Sequence, residues 1–327
     1  MAEQHNLRYI AFGITQHCAH RCKFCYETAN RAPEFRRHGE LVTLMQLAEC
    51  FAEAGVEFVE LVGGDPSEHP EVGRLTEHLH RLGIEVGILS NTHRAWQEVA
   101  PYVTALEWTV HGPKEYHDAY TFPGTYDMVL ERLKGFAAVK REDQKIGLTI
   151  NFTSIMAEKL YDVVQELSAE LNVDYVQLQR VGPFGGAADG NYTLSVDEVL
   201  AIYRQIQRID QELKIGIEVV DSYPLCILPE DLRQYTARCD WGFGTAYVDM
   251  HGNISRCAVN QIPLGNLLDP GTSLTQLWQQ HSALIKFREK EYLPEKCQRC
   301  ELLPQCGGGC PSSCGGCELS KDQLLVV

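Results

Sequence analysis

Between residues 8 and 220 the chain alternates short apolar runs with amphipathic stretches. The apolar runs cover residues 9–15, 57–62, 84–90, 106–110, 146–152, 175–180 and 215–220. Several are rich in valine and isoleucine, as strands of a buried parallel sheet require. Between them, apolar residues recur at helical spacing. One group is Leu44, Leu47, Ala48, Phe51 and Ala52, with Thr43 as the expected N-terminal cap. Others are Val129, Leu133, Phe136 and Ala137; Leu160, Val163, Val164 and Leu167; and Val199, Ile202, Tyr203 and Ile206. Repeated strand–helix alternation predicts an α/β fold built on a parallel sheet. Its functional loops would lie at the C-terminal strand ends.

The rhythm changes near Asp221, where glycine, proline and cysteine become frequent. A hairpin is expected over residues 246–257, turning at His251-Gly252-Asn253. One helix is expected from Ser273 to Arg288, with Leu274, Leu277, Trp278, Leu284 and Phe287 on one side. From Cys297 onward regular structure is not expected. Such a segment buries little apolar surface, so bound metal would supply much of its folding free energy. Two domains follow, residues 5–222 and residues 223–327.

Composition narrows the chemistry. Hydrophobic residues make up 44% and charged residues 22%, as in a globular protein. No apolar run approaches the roughly 18 residues of a membrane span, and the polar N-terminus has no signal core, so a cytoplasmic location is expected. The formal net charge is −15, which argues against binding nucleic acid through its phosphates and mildly favours a cationic partner. The 13 cysteines then point to metal or redox chemistry, since cytoplasmic thiols stay reduced. A secreted disulfide scaffold fits poorly: the count is odd, and the long stretch between Cys25 and Cys226 holds only Cys50. Cys50 itself falls on a helix face and reads as core.

Cys18, Cys22 and Cys25 stand at C-x3-C-x2-C spacing just after the first strand, with Phe24 before the last cysteine. A zinc knuckle usually presents C-x2-C, and a ferredoxin needs a fourth cysteine in cadence. The pattern resembles the signature of the radical S-adenosylmethionine (radical SAM) superfamily. That resemblance implies a partial (β/α)6 TIM-like barrel and a [4Fe–4S] cluster held by Cys18, Cys22 and Cys25. The fourth iron would chelate the methionine end of SAM, and cleavage of SAM would yield a radical that takes a hydrogen atom from substrate. Phe24 would pack near the adenosine. Gly63-Gly64-Asp65-Pro66 is similar to the family's GGEP loop, with Asp65 in place of glutamate, and its backbone would meet the SAM amino group. Ser90 and Asn91, in the counterpart of the TNG segment, would contact the ribose side. Thr109 falls in a stretch similar to the ISLDGP segment of peptide-modifying members, where His111 replaces the usual aspartate. Arg180 closes the counterpart of the sixth strand.

The second cysteine field resembles the SPASM pattern. It comprises Cys239, then Gly252-x4-Cys257, then Cys297-x2-Cys300-x5-Cys306-x3-Cys310, with Cys314 and Cys317 beyond. By that resemblance Cys239, Cys257 and Cys310 would hold one auxiliary [4Fe–4S] cluster. Cys297, Cys300, Cys306 and either Cys314 or Cys317 would hold another. A zinc ribbon is the alternative from spacing alone. Cys226 is the unassigned thiol: a fourth ligand of the first auxiliary cluster, a catalytic hydrogen-atom donor, or a small buried residue.

These readings imply an enzyme that abstracts hydrogen from an unactivated C–H bond of a ribosomally made peptide, forming a crosslink or thioether. A flavodoxin- or ferredoxin-type protein would supply electrons. Dehydrogenation or epimerisation of a small aminoglycoside-like molecule is the alternative. The first strand starts near Arg8, so no N-terminal peptide-recognition domain is expected. An electron carrier without catalysis is the reading from another class, and SAM cleavage distinguishes the two.

Overall fold

The computed structural model describes residues 5–27, 37–189, 191–259 and 263–312. Seven parallel strands stand side by side in chain order: β1 (Tyr9–Thr15), β2 (Phe58–Gly63), β3 (Glu85–Ser90), β4 (Ala105–Val110), β5 (Lys145–Phe152), β6 (Tyr175–Arg180) and β7 (Gly216–Val219). Each matches a run read from the sequence to within one residue at either end. Beyond β1, the sheet continues through β8 (Thr245–Asp249), parallel to β1, and then β9 (Asn253–Ser255) and β10 (Pro263–Asn266), both antiparallel. The ten strands form one open sheet with β7 and β10 at its edges, so the barrel is partial. The first strand of the cysteine-rich part therefore hydrogen-bonds directly to the first strand of the barrel.

The helices between the parallel strands are α1 (Leu41–Glu53), α2 (Val72–Arg81), α3 (Trp96–Val99), α4 (Lys114–Tyr120), α5 (Thr125–Ala137), α6 (Met156–Leu171) and α7 (Val196–Leu213). They cover the sheet's outer face. Ile10, Phe12 and Ile14 of β1 are wholly buried with Leu44, Leu47 and Phe51 of α1, and Phe12 meets Phe51 edge-on at 5.0 Å. Burying each such side chain contributes roughly 1.5–3 kcal/mol. A Ser195–Glu198 capping box starts α7, satisfying orphan amides at its first turn.

Three local expectations need correction, and one helix, α2, was not read from the sequence. Helix α1 begins at Leu41 with Glu40 as its cap residue, so Thr43 lies inside the helix. Helix α2 carries its buried residues as Val72, Leu75, Thr76 and Leu79 among histidines and charges, a face too mixed to stand out in the sequence. The expected helix from Ser273 to Arg288 is two, α8 (Leu274–Gln280) and α9 (Ser282–Glu289). His281 is extended between them, and its Nδ1 accepts the Ala283 amide at 3.3 Å, starting a new helix rather than continuing the old. From Cys297 onward, where irregular chain was expected, there are two single turns, α10 (Glu295–Gln298), which starts just before it, and α11 (Leu303–Cys306). The hairpin forms as expected: Gly252 turns at φ +82°, and Asp249 Oδ1 accepts the amides of His251 and Asn253, both at 2.9 Å.

The inner face of the sheet is polar. Glu60 of β2 lies beside Ala11 of β1, and Glu107 of β4 beside Leu89 of β3. Both carboxyls are buried, and Thr149 of β5 donates to Glu107 at 3.2 Å. Burial, and after it the adjacent Glu107, pushes the Glu60 carboxyl up; burial also pushes Glu107 up. One oxygen of Glu60 has no hydrogen-bond partner. A carboxyl held above its ordinary range keeps its proton in the folded state while the unfolded chain releases it. Its favourable contribution is thus complete at low pH and is lost as pH rises above the unfolded value of about 4.3. Glu60→Gln should remove part of that loss. Thermal melts should show a smaller fall in Tm for the variant than for the wild type between about pH 5 and about pH 8.

Candidate cluster and cofactor site

The first cysteine loop leaves β1 at the C-terminal mouth of the sheet and is held there by backbone contact. The Gly64 amide donates to Thr15 O at 2.7 Å, and the Asp65 amide donates to His17 O at 2.8 Å. This approach explains both glycines. Gly63 has φ +131°, and a Cβ there would lie 2.2 Å from Thr15 O; a Cβ on Gly64 would lie 2.1 Å from His17 O. Only glycine fits such contacts with backbone. The Glu68 carboxylate then grips the loop, accepting from His17 Nδ1 at 2.7 Å and from the Ala19 amide at 3.0 Å. This pair was not singled out in the sequence, where Glu68 lies 51 residues from His17.

Asp65 braces the neighbouring loop. Its Oδ1 accepts from the Ser67 amide, the Ser67 hydroxyl and the Ser90 hydroxyl at 3.0, 3.0 and 2.7 Å, and its Oδ2 accepts the Asn91 amide at 2.9 Å. Ser90 Oγ also accepts the amides of Thr92 and His93. The loops after β1, β2 and β3 are therefore one hydrogen-bonded shelf. Asp65 is almost wholly buried within it. Thr109 lies on the same mouth, on β4 beside Thr149 of β5.

The thiols of Cys18, Cys22 and Cys25 are partly buried. The His20 amide donates to Cys18 Sγ at 3.4 Å, and burial, then Asp65, pushes the Cys18 thiol well up. Phe24 is buried among His111, Tyr120 and Tyr192, with ring centroids 4.9, 5.4 and 5.5 Å away. It forms one wall of the mouth.

Across the mouth lie the other cysteines. Cys239 and Cys257 are buried, and Cys310 is partly so. Burial, then the thiols of Cys310 and Cys257, pushes Cys239 up. Burial pushes Cys310 up to about 12, with Arg180 opposing and Asp221 reinforcing the shift. The three thiols therefore sit close enough to repel one another as thiolates. Asp221, just beyond β7, is itself pushed up to about 6 by burial against the opposing pull of Arg180. Arg180 thus faces the auxiliary thiols: its Nη1 donates to Ser222 O at 3.1 Å, and its guanidinium stacks 4.1 Å from the Tyr223 ring.

Cys297, Cys300 and Cys306 are carried by α10, α11 and the turn between them. The structure sets Cys226 against this second group rather than the first. The preceding Leu225 amide donates to Cys306 Sγ at 3.3 Å, and after burial Cys226 is the largest influence raising the Cys297 thiol. Cys226 is exposed, not a small buried residue, and Cys50 is partly buried on α1. Cys314 and Cys317 lie outside the described residues.

The donor sets suit iron–sulfur clusters. Buried thiols that repel one another stay protonated until a cation compensates them, and thiolates are the ligands clusters take. Among the described residues no three His, Cys, Asp or Glu side chains converge as they would around a single ion. A four-iron cluster does not need that, because it holds its thiolates at separate corners. The Gly64 contact gives a direct check. Gly64→Ala should displace the first cysteine loop, so that anaerobic reconstitution recovers less iron and SAM fails to perturb the first cluster's EPR signal. The auxiliary signals should persist.

The comparisons agree with this geometry. The profile of the Radical SAM superfamily matches residues 12–167, and that of the SPASM iron–sulfur cluster-binding domain matches residues 239–301. A PqqA peptide cyclase of Ruegeria pomeroyi is 26% identical over 313 residues, covering 91% of this chain and 80% of the relative. An AdoMet-dependent heme synthase of Methanosarcina barkeri is 22% identical over 327 residues, covering 92% and 90%. The crystal structure of Streptococcus suis SuiB bound to S-adenosylmethionine superposes with a TM-score of 0.79 at 16% identity, over 98% of this chain and 78% of that one. Among the described residues no helix is long and apolar enough to cross a membrane. The chain therefore carries a radical SAM domain over residues 12–167 and a SPASM domain over residues 239–301, and it is an enzyme whose cofactors are [4Fe–4S] clusters and S-adenosylmethionine.

Proposed function

We propose that this enzyme modifies a ribosomally made peptide, joining side chains through a crosslink or thioether. The observation that carries this reading is the likeness, over about nine-tenths of the chain, to PqqA peptide cyclases from several bacteria. That likeness spans both iron–sulfur units. The second reading is dehydrogenation or epimerisation of a small aminoglycoside-like molecule: the heme synthase relative supports a small-molecule substrate, and the −15 charge a cationic one.

The residues divide the work as follows. Cys18, Cys22 and Cys25 hold the SAM-binding cluster, and the shelf of Gly63, Gly64, Ser90 and Asn91, braced by Asp65, presents backbone and side-chain polar groups to SAM. Thr109 and Phe24 line the mouth. Cys239, Cys257 and Cys310 hold one auxiliary cluster, and Cys297, Cys300 and Cys306 hold the other. When bound, these groups supply one-electron chemistry and hydrogen-atom abstraction. The chain positions the reacting carbon and excludes water. A flavodoxin- or ferredoxin-type protein supplies the electron.

Cys226 belongs with the second auxiliary set. Cys226→Ala should lower the iron bound there and alter that cluster's EPR signal while the first trio's signal is kept. Unaltered iron with loss of hydrogen return to product would instead make Cys226 a hydrogen donor.

The substrate class is tested with the anaerobically reconstituted, reduced enzyme. Formation of 5′-deoxyadenosine should rise when producer-cell extract is added, and prior digestion of the extract with protease should abolish the rise. Stimulation that survives protease would overturn the peptide reading in favour of a small molecule.

A further inference from the structure

His111 brings a side chain from the end of a distant strand to a cysteine of the first trio. It follows β4 directly and is 2% exposed, and its Nε2 lies 3.8 Å from Cys22 Sγ. Three contacts fix the ring. Asn151, on β5, sets its amide Nδ2 3.3 Å from His111 Nδ1. Phe24 meets the ring edge-on at 4.9 Å, and His117 stacks on it at 5.2 Å. The His111 amide also donates to His117 Nδ1 at 3.3 Å, tying the backbone to the stacked ring.

The donor direction follows from the partners. An amide NH2 group can only donate, so Asn151 makes Nδ1 of His111 the accepting nitrogen. In the imidazole the remaining nitrogen, Nε2, then carries the hydrogen, and that hydrogen faces the sulfur of Cys22. Hydrogen bonds to cluster sulfurs are among the principal settings of an iron–sulfur potential. A donor withdraws charge from the thiolate and stabilises the reduced cluster, which carries the additional electron.

We propose that His111, oriented by Asn151, is a positioning residue that donates a hydrogen bond to the Cys22 thiolate and raises the reduction potential of the SAM-binding cluster. The inference rests on Cys18, Cys22 and Cys25 being that cluster's ligands. It gives a chemical use to the histidine standing where peptide-modifying members usually have aspartate, since an ionised aspartate cannot donate to a thiolate.

The test is an EPR-monitored redox titration of the anaerobically reconstituted protein. His111→Leu removes the donor and should lower the first cluster's midpoint potential, with about a tenfold fall in the reduced-to-oxidised ratio at fixed potential, equivalent to ~59 mV for one electron. The auxiliary potentials should stay in place. His111→Gln keeps an N–H at similar reach and should restore a potential near the wild type's. Asn151→Leu leaves the imidazole but removes the amide that selects its tautomer, and should give a smaller drop; it also tests the idea should His111→Leu fail to load iron. A loaded His111→Leu protein with unchanged potential, or a His111→Gln protein as low as the leucine variant, overturns the proposal. A wild-type protein whose first-cluster signal is absent or insensitive to SAM would instead refute the cluster reading itself.

Discussion

Two backbone hydrogen bonds, from Gly64 to Thr15 O and from Asp65 to His17 O, hold the loop after β2 against the loop after β1 more closely than any side chain could. The rest of the mouth depends on that contact. It fixes where the first cysteine loop leaves the sheet. It carries Glu68 to His17 and Ala19, and it places Asp65 where it can accept from Ser67, Ser90 and Asn91. The three loops are thereby joined into one hydrogen-bonded body. A site that must hold a cluster and a nucleoside-bearing cofactor in fixed relation needs such a shelf, because small displacements of reacting groups cost large factors in rate.

Charge is the second constraint. The mouth gathers thiols that burial pushes up, and the inner wall carries two carboxyls that burial pushes up as well. A chain of net charge −15 thus has a central region where burial opposes further negative charge, which cationic metal would compensate. Arg180 and Asp221 stand at the boundary between the barrel and the auxiliary thiols and push Cys310 in opposite directions. Their placement links the last barrel strands to the cysteine-rich domain, as β8 does through its pairing with β1.

Much of this was legible in the sequence. The seven parallel strands follow from valine- and isoleucine-rich runs, because a strand covered by helices leaves an unbroken apolar signature. The first trio was legible because cluster ligands must be close in sequence when one loop supplies them. Other features escaped because their cause is tertiary. Asp65 reads as part of a cofactor loop, but its four accepted hydrogen bonds come partly from residues 25 positions away or more. Cys226 is a lone thiol in the sequence, and only folding sets its neighbour Leu225 against Cys306. The break at His281 was hidden because the apolar spacing runs on through it. His111 was visible as a departure from the usual aspartate, but its partner Cys22, 89 residues away, was not.

The central claim is that residues 18–25 present a cluster with one iron open to SAM on the shelf formed by the loops after β2 and β3. EPR of the reduced, reconstituted protein with and without SAM tests this most directly. The account predicts a signal that SAM alters, and that disappears when Cys18, Cys22 and Cys25 are all replaced by alanine while the auxiliary signals persist. A signal indifferent to SAM, or one that survives the triple replacement, would contradict it.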